Sequence, residues 1–364
     1  MYTLVKCRMF LKIDHNTSDK LCLFTSQLQL CRRVPKENLS TMIIQVAFVC
    51  LVIFIAHKIT ECFKSGFSAR NRDHGSGTPT KKPPAYSSLY PDLTSPPVGS
   101  ALAKVLGWGR GTSFQTIVDK FNSLDEVSNA VRRAGLESSN LLFGIDYTKS
   151  NLYTGKQTFG GRSLHAIEPG VFNPYQQAIM ILGQTLAPFD DDNLLPVYGF
   201  GDITTQGQSV FPFRSDGECH GFHDVLDCYN NITPTVTLSG PTDFAPVIQE
   251  AIKIVRKTKA QYHILIIIAD GQVTSEKRTR DAIVEASRYP LSIIVVGVGD
   301  GPWDMMREFD DKLPQRKFDN FQFVEFHRVM VSAKSGHQES AFALQALMEI
   351  PDQFLAIRKL GLLD

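Results

Sequence analysis

Short apolar runs alternate along this chain with stretches in which apolar residues recur every three or four positions. Leu141–Ile145, Leu194–Phe200, Tyr262–Ile268, Leu291–Val298 and Phe321–Phe326 are runs of the first kind. Two of them, YHILIII and LSIIVVGV, are almost wholly apolar, as strands covered on both faces must be. Helical spacing predicts helices over Pro174–Leu186, Phe222–Tyr229, Phe244–Lys257, Lys277–Arg288 and Asp304–Phe309, and one long closing helix over Glu339–Leu360. Phe114, Ile117, Val118 and Phe121, then Val127 and Val131, keep the same spacing, and Ser123-Leu124-Asp125-Glu126 offers a capped restart between two helices. An edge hairpin is expected around Ser209–Phe213. This alternation predicts an α/β fold, a doubly wound and mostly parallel sheet flanked by helices, beginning near Ser113.

Upstream the pattern changes. Ser65–Ser100 is rich in Gly, Ser, Pro and Lys with few large aliphatic residues, which predicts a disordered linker. Within it, Pro83-Pro84-Ala85-Tyr86 is a P-P-x-Y tetrapeptide whose polyproline bias and ring suit a WW-type groove. Such tetrapeptides arise readily in Pro-rich segments, so plain linker is the simpler reading. Met42–Ala56 is the only membrane-like run, with 15 residues and Gln45 inside it. A bilayer span needs about 20. Two readings stand: a short or shallow membrane anchor, or a segment with no membrane role. The organisation expected is a basic arm over 1–64, a linker over 65–112 and a folded body over 113–364.

The formal charge of +1 conceals an asymmetry, because residues 1–82 carry 13 Lys/Arg against 5 Asp/Glu and the remainder 25 against 32. A basic arm suits an anionic membrane surface or nucleic acid, and an acidic body is not one that binds nucleic acid through bulk charge. Five of the seven cysteines lie in the first 62 residues, leaving Cys219 and Cys228 in the body. No disulfide framework or C-x-x-C pair is present, which predicts a reducing compartment, cytoplasm or nucleus; membrane association is added only on the anchor reading of residues 42–56. Cys219, His220, His223, Asp224, Asp227 and Cys228 crowd together, but their spacing matches no structural-zinc template, and they read as surface and core residues of a helix. No G-x-S-x-G elbow occurs, and the glycine run Gly297–Gly301 lacks the lysine of a phosphate loop, so no catalytic centre is expected.

Oxygen donors, by contrast, follow three predicted strand ends. Phe143-Gly144-Ile145 runs into Asp146-Tyr147-Thr148-Lys149-Ser150, a D-x-T-x-S loop. Ser239-Gly240-Pro241-Thr242-Asp243 presents a hydroxyl at the start of a helix, and Ala269-Asp270-Gly271 follows YHILIII directly. In an open parallel sheet these ends share one rim, where ligands are held. Carboxylates and hydroxyls together suit a hard divalent cation, Mg²⁺ or else Mn²⁺ or Ca²⁺, with coordination positions left for a partner's Asp or Glu.

In this order the motifs resemble the metal-ion-dependent adhesion site of von Willebrand factor A domains. GIDYTKSN, PVYGFGD, SGPTDFAPVI and ADGQVT are similar to the copine-type version, and the segment leading into ESSNLLFGIDYTKSN resembles plant RING-type ubiquitin ligases that carry a copine-like domain. The resemblance covers roughly residues 113–363. It implies a metal site of Asp146, Thr148, Ser150, Thr242 and Asp270, with Thr148 standing where the strict pattern has serine. It implies protein partners, among them proteins of the ubiquitin pathway. Two features depart from those ligases: no cysteine follows Cys228 to build a RING, and Met1-Tyr2-Thr3 offers no glycine for myristoylation. The function expected is a metal-dependent interaction module acting in or alongside ubiquitin-ligase pathways. The alternatives are an E3 ubiquitin ligase by family, or a membrane-associated adaptor.

Overall fold

Successive side chains of a strand point to opposite faces, and here that alternation sorts the core into two halves. Leu141, Phe143 and Ile145 pack in one cluster with Ile264, Ile266, Ile268, Ile294 and Val296. Leu142, Leu265, Ile267, Ile293 and Val295 belong to the other. The computed structural model describes residues 99–108 and 118–363 apart from 216, 260 and 314. Its strands are β1 (Asn140–Asp146), β2 (Leu194–Leu195), β3 (Val197–Phe200), β4 (Phe211–Pro212), β5 (Cys219–His220), β6 (His263–Ala269), β7 (Leu291–Gly297) and β8 (Phe321–Glu325). Six form one sheet in the order β4-β3-β1-β6-β7-β8, parallel except for the edge strand β4.

The helices are α1 (Ala101–Leu106), α2 (Leu124–Arg133), α3 (Pro174–Leu186), α4 (Gly221–Ile232), α5 (Ala245–Lys257), α6 (Glu276–Ala286), α7 (Asp304–Lys312), α8 (Phe326–Ser332), α9 (Gln338–Leu347) and α10 (Ile350–Leu360). Val127 and Val131 of α2, Ile179 and Leu182 of α3, and Phe342 of α9 cover the first face. Ile248 of α5, Ile283 of α6 and Phe309 of α7 cover the second. The expected doubly wound α/β architecture is the one observed. Ser123 caps α2 as its sequence predicts, its hydroxyl accepting from Glu126 N at 3.3 Å, while Glu126 Oε2 accepts from Asn122 N at 2.7 Å.

Three elements differ from the pattern-based expectation. The run Leu194–Phe200 divides at Pro196, which has no N–H to give a ladder. Its first part pairs antiparallel with β5, and its second joins β1. The single closing helix expected over Glu339–Leu360 is two helices, because Pro351 sits in the first turn of α10 and cannot continue α9. Finally, Ala101–Leu106, assigned from composition to the linker, is helical. Leu102 and Leu106 are buried, Ser100 caps the first turn, and Ala101 N donates to both carboxylate oxygens of Asp352. The expectations for the arm, for residues 42–56, for Pro83–Tyr86 and for Phe114 and Ile117 fall outside the described residues. Among the described residues no helix is long and apolar enough to cross a membrane.

The junction between α9 and α10 carries a titration of its own. Burial, then the nearby charge of Asp319, pushes Glu349 from 4.5 up to about 7. The folded chain therefore binds more protons than the unfolded chain between those values, and stability falls as pH rises through that window. Glu349→Gln should raise stability by roughly 1–3 kcal/mol at about pH 8 and change little near pH 4, read from urea midpoints.

Candidate metal centre

The register of the parallel sheet brings the oxygen donors together. Asp146 ends β1 opposite Phe200 of β3, and β6 delivers Asp270 one residue past Ala269. The loop after Asp146 is tied to the turn before Thr242, with Lys149 N donating to Ser239 O at 2.7 Å and Ser239 N to Tyr147 O at 3.2 Å. Thr274 N in turn donates to Thr242 O at 2.9 Å.

All five sequence-predicted residues meet in one network. Thr242 Oγ1 donates to Thr148 Oγ1 at 3.4 Å, Thr148 Oγ1 lies 2.9 Å from Ser150 Oγ, and Ser150 Oγ donates to Asp270 Oδ1 at 3.0 Å. Asp146 Oδ1 accepts from Thr148 N at 2.8 Å, whereas its Oδ2 is buried without a hydrogen-bond donor. Asp146, Thr148, Thr242 and Asp270 are buried, and Ser150 is half-buried. Burial raises the pKa of both carboxyls, and the charge of Asp270 raises that of Asp146 further. A buried carboxylate oxygen with no donor, beside a second buried carboxylate and three hydroxyls, is a donor set that a hard divalent cation fits.

The copine family model matches residues 163–364. Copine family protein 1 of Caenorhabditis elegans is 57% identical over 269 residues, covering 73% of this chain and 24% of that protein. E3 ubiquitin-protein ligase RGLG4 of Arabidopsis thaliana is 50% identical over 315 residues, covering 83% of this chain and 76% of that protein. The chain belongs to the copine family. Solved structures with a similar outline include the von Willebrand factor type A protein of Catenulispora acidiphila, at TM-score 0.38 and 12% identity over 58% of this chain and 43% of that one. The manganese-loaded TRAP protein of Plasmodium vivax aligns at TM-score 0.36 and 13% identity over 55% of this chain and 74% of that one.

The copine fold adds residues that motif reading missed. Thr154 Oγ1 donates to Asp270 Oδ2 at 2.6 Å, so Asp270 is held from two sides. Beneath Asp146, His165 is stacked between Tyr147 and Tyr175 with ring centroids 4.7 and 4.1 Å away. Its Nε2 lies 2.8 Å from Asp146 O, and its Nδ1 lies 2.8 Å from Tyr229 Oη. A carbonyl only accepts, so Nε2 carries the proton and Nδ1 accepts from the Tyr229 hydroxyl. Asn151 Nδ2 also donates to Asp146 O at 3.3 Å, and Tyr175, whose hydroxyl donates to Asn151 Oδ1 at 2.7 Å, lies 3.2 Å from the same carbonyl. Gly201 closes the loop from the other side. At φ +79° an added Cβ would lie 2.4 Å from Thr148 Cγ2, so only glycine leaves the threonine in place. Thr154 carried a weak signal, four residues beyond Ser150 in the same loop; a lone His165 carried none.

Proposed function

We propose that this chain is a divalent-cation-dependent protein-interaction module, acting in or alongside ubiquitin-ligase pathways. The observation that carries the reading is the buried, donorless Asp146 Oδ2 within the five-residue oxygen network. Asp146, Thr148, Ser150, Thr242 and Asp270 would hold the cation, Mg²⁺ by preference for hard oxygen ligands. When bound, the cation neutralises the two buried carboxylates and offers a partner's Asp or Glu a coordination position.

The chain's own residues supply the surrounding surface. Leu152, Tyr153 and Ile203 are exposed on the two loops that carry Ser150 and follow Gly201, and Lys149 is exposed between Thr148 and Ser150. Apolar side chains with one exposed cation suit an acidic residue on a mostly apolar partner surface. Immobilised peptides with a single central Glu, and matched peptides with Gln, test this on the full chain. Retention of the Glu peptides in MgCl₂, release by EDTA and no retention by Asp146→Asn are expected. Equal retention in all conditions would sink the reading.

The Arabidopsis relatives are E3 ubiquitin-protein ligases, which favours placement in that pathway. Ubiquitin ligation by this chain itself is the second reading, and it rests on 50% identity over 83% of the chain. A reconstituted ubiquitination reaction separates the two, since polyubiquitin ladders from the purified chain would establish the second. A membrane-associated adaptor in the cytoplasm or nucleus remains a proposal about residues 1–64, and a WW-domain contact one about Pro83–Tyr86.

A further inference from the structure

We propose that Cys219, Asp224 and Cys228 form a second metal site, one that takes a single Zn²⁺. Cys219 lies on β5, while Asp224 and Cys228 are four residues apart on α4 and share one face of that helix. Their ligand atoms all lie within 4.8 Å of one another. Cys228 Sγ is 3.7 Å from Asp224 Oδ1. Zn–S and Zn–O bonds of about 2.3 and 2.1 Å at tetrahedral angles place sulfur and oxygen about 3.6 Å apart, so this edge of the coordination shell already exists. The fourth position is left to water, because Asp224 and Cys228 are only half-buried.

Charge supports the assignment. Two thiolates, one carboxylate and Zn²⁺ sum to a single negative charge, and Arg214 sits beside the cluster with Nη1 3.2 and 3.1 Å from the Asp224 oxygens. His220 N donates to Asp224 Oδ2 at 2.9 Å, while Oδ1 accepts from Arg214 Nη1 and faces the Cys228 sulfur. The spacing fits no zinc template because the ligands come from a two-residue strand and one helical turn rather than from paired C-x-x-C knuckles. Cys219 pairs with Leu195, at the end of the sheet where β3 begins, whereas Asp146 lies opposite Phe200, where β3 ends. The two sites therefore differ in place and in chemistry: oxygens alone at one, two sulfurs and one carboxylate at the other.

The test uses the full chain, reduced, stripped with a chelator and saturated with Mg²⁺ to keep the oxygen site occupied. Co²⁺ is titrated as the spectroscopic probe and displaced with Zn²⁺. Wild type should show one more equivalent of thiolate-to-cobalt charge transfer, with tetrahedral d–d bands, than Cys228→Ser or Asp224→Ala. Asp146→Asn should match wild type. In parallel, Zn²⁺ should protect Cys219 and Cys228 from alkylation, mapped by mass spectrometry, whatever the arm's own cysteines do. Equal cobalt stoichiometry in wild type and in variants that retain the wild-type circular dichroism overturns the proposal. So does recovery of a Cys219–Cys228 disulfide peptide with no zinc uptake, which would make the pair a redox couple.

Discussion

Asp146→Asn is expected to abolish the stabilisation that Mg²⁺ gives the chain while making the metal-free chain more stable. Both halves follow from the same geometry. Without a cation, Asp146 is buried beside Asp270, and burial together with the charge of Asp270 raises its pKa. An amide of the same shape keeps Oδ1 as acceptor for Thr148 N and removes the like-charge repulsion. With a cation the balance reverses, because the amide loses an anionic ligand whose Oδ2 has no other use. A ligand that binds only the folded state adds about 2.7 kcal/mol at 100 times its dissociation constant, which is the increment the variant should lose. Thermal unfolding of wild type and variant in MgCl₂ and in EDTA gives all four values. A variant that keeps the full Mg²⁺ increment would remove Asp146 from the site. A variant no more stable than wild type in EDTA would show that Asp270 does not repel it.

The part of this arrangement that was legible in the sequence is the part written locally. β6 is legible because HILIIIA is buried on both faces and, after His263 at its start, contains no polar position for a surface to use. Asp146, Thr148 and Ser150 alone could be a capped turn; they are legible as a site because strand order brings Thr242 and Asp270, each also just past a strand or turn, to the same rim. The long closing helix was over-read because the apolar spacing of α9 and α10 stays in phase across Met348 and Glu349, while Pro351 alone marks the break. The helix Ala101–Leu106 was missed because six residues are too few to establish a period; its place is set by contacts from α10, 251 residues away in sequence. The support beneath the metal loop was hidden for the same reason. His165 reaches Asp146 only after the chain has returned over the loop, and no local pattern announces a tertiary contact.

His165 therefore supplies the sharpest test of how the loop is held. Its ring does two separable things: it fills the space between Tyr147 and Tyr175, and it bridges Asp146 O to the Tyr229 hydroxyl. His165→Ala removes both and should destabilise the fold by about 3–5 kcal/mol, the range for emptying a buried aromatic site and leaving polar partners unmet. His165→Phe restores the stack but not the bridge, and roughly 1–3 kcal/mol of the loss should remain, since Asp146 O still accepts from Asn151 and Tyr229 still accepts from Asn173. Urea midpoints separate packing from hydrogen bonding. Mg²⁺ titration of the Phe variant then asks whether the bridge also positions the carboxylate. If it does, affinity falls although no residue of the oxygen network has changed. A Phe variant equal to wild type in both stability and Mg²⁺ affinity would reduce His165 to filler between two tyrosines.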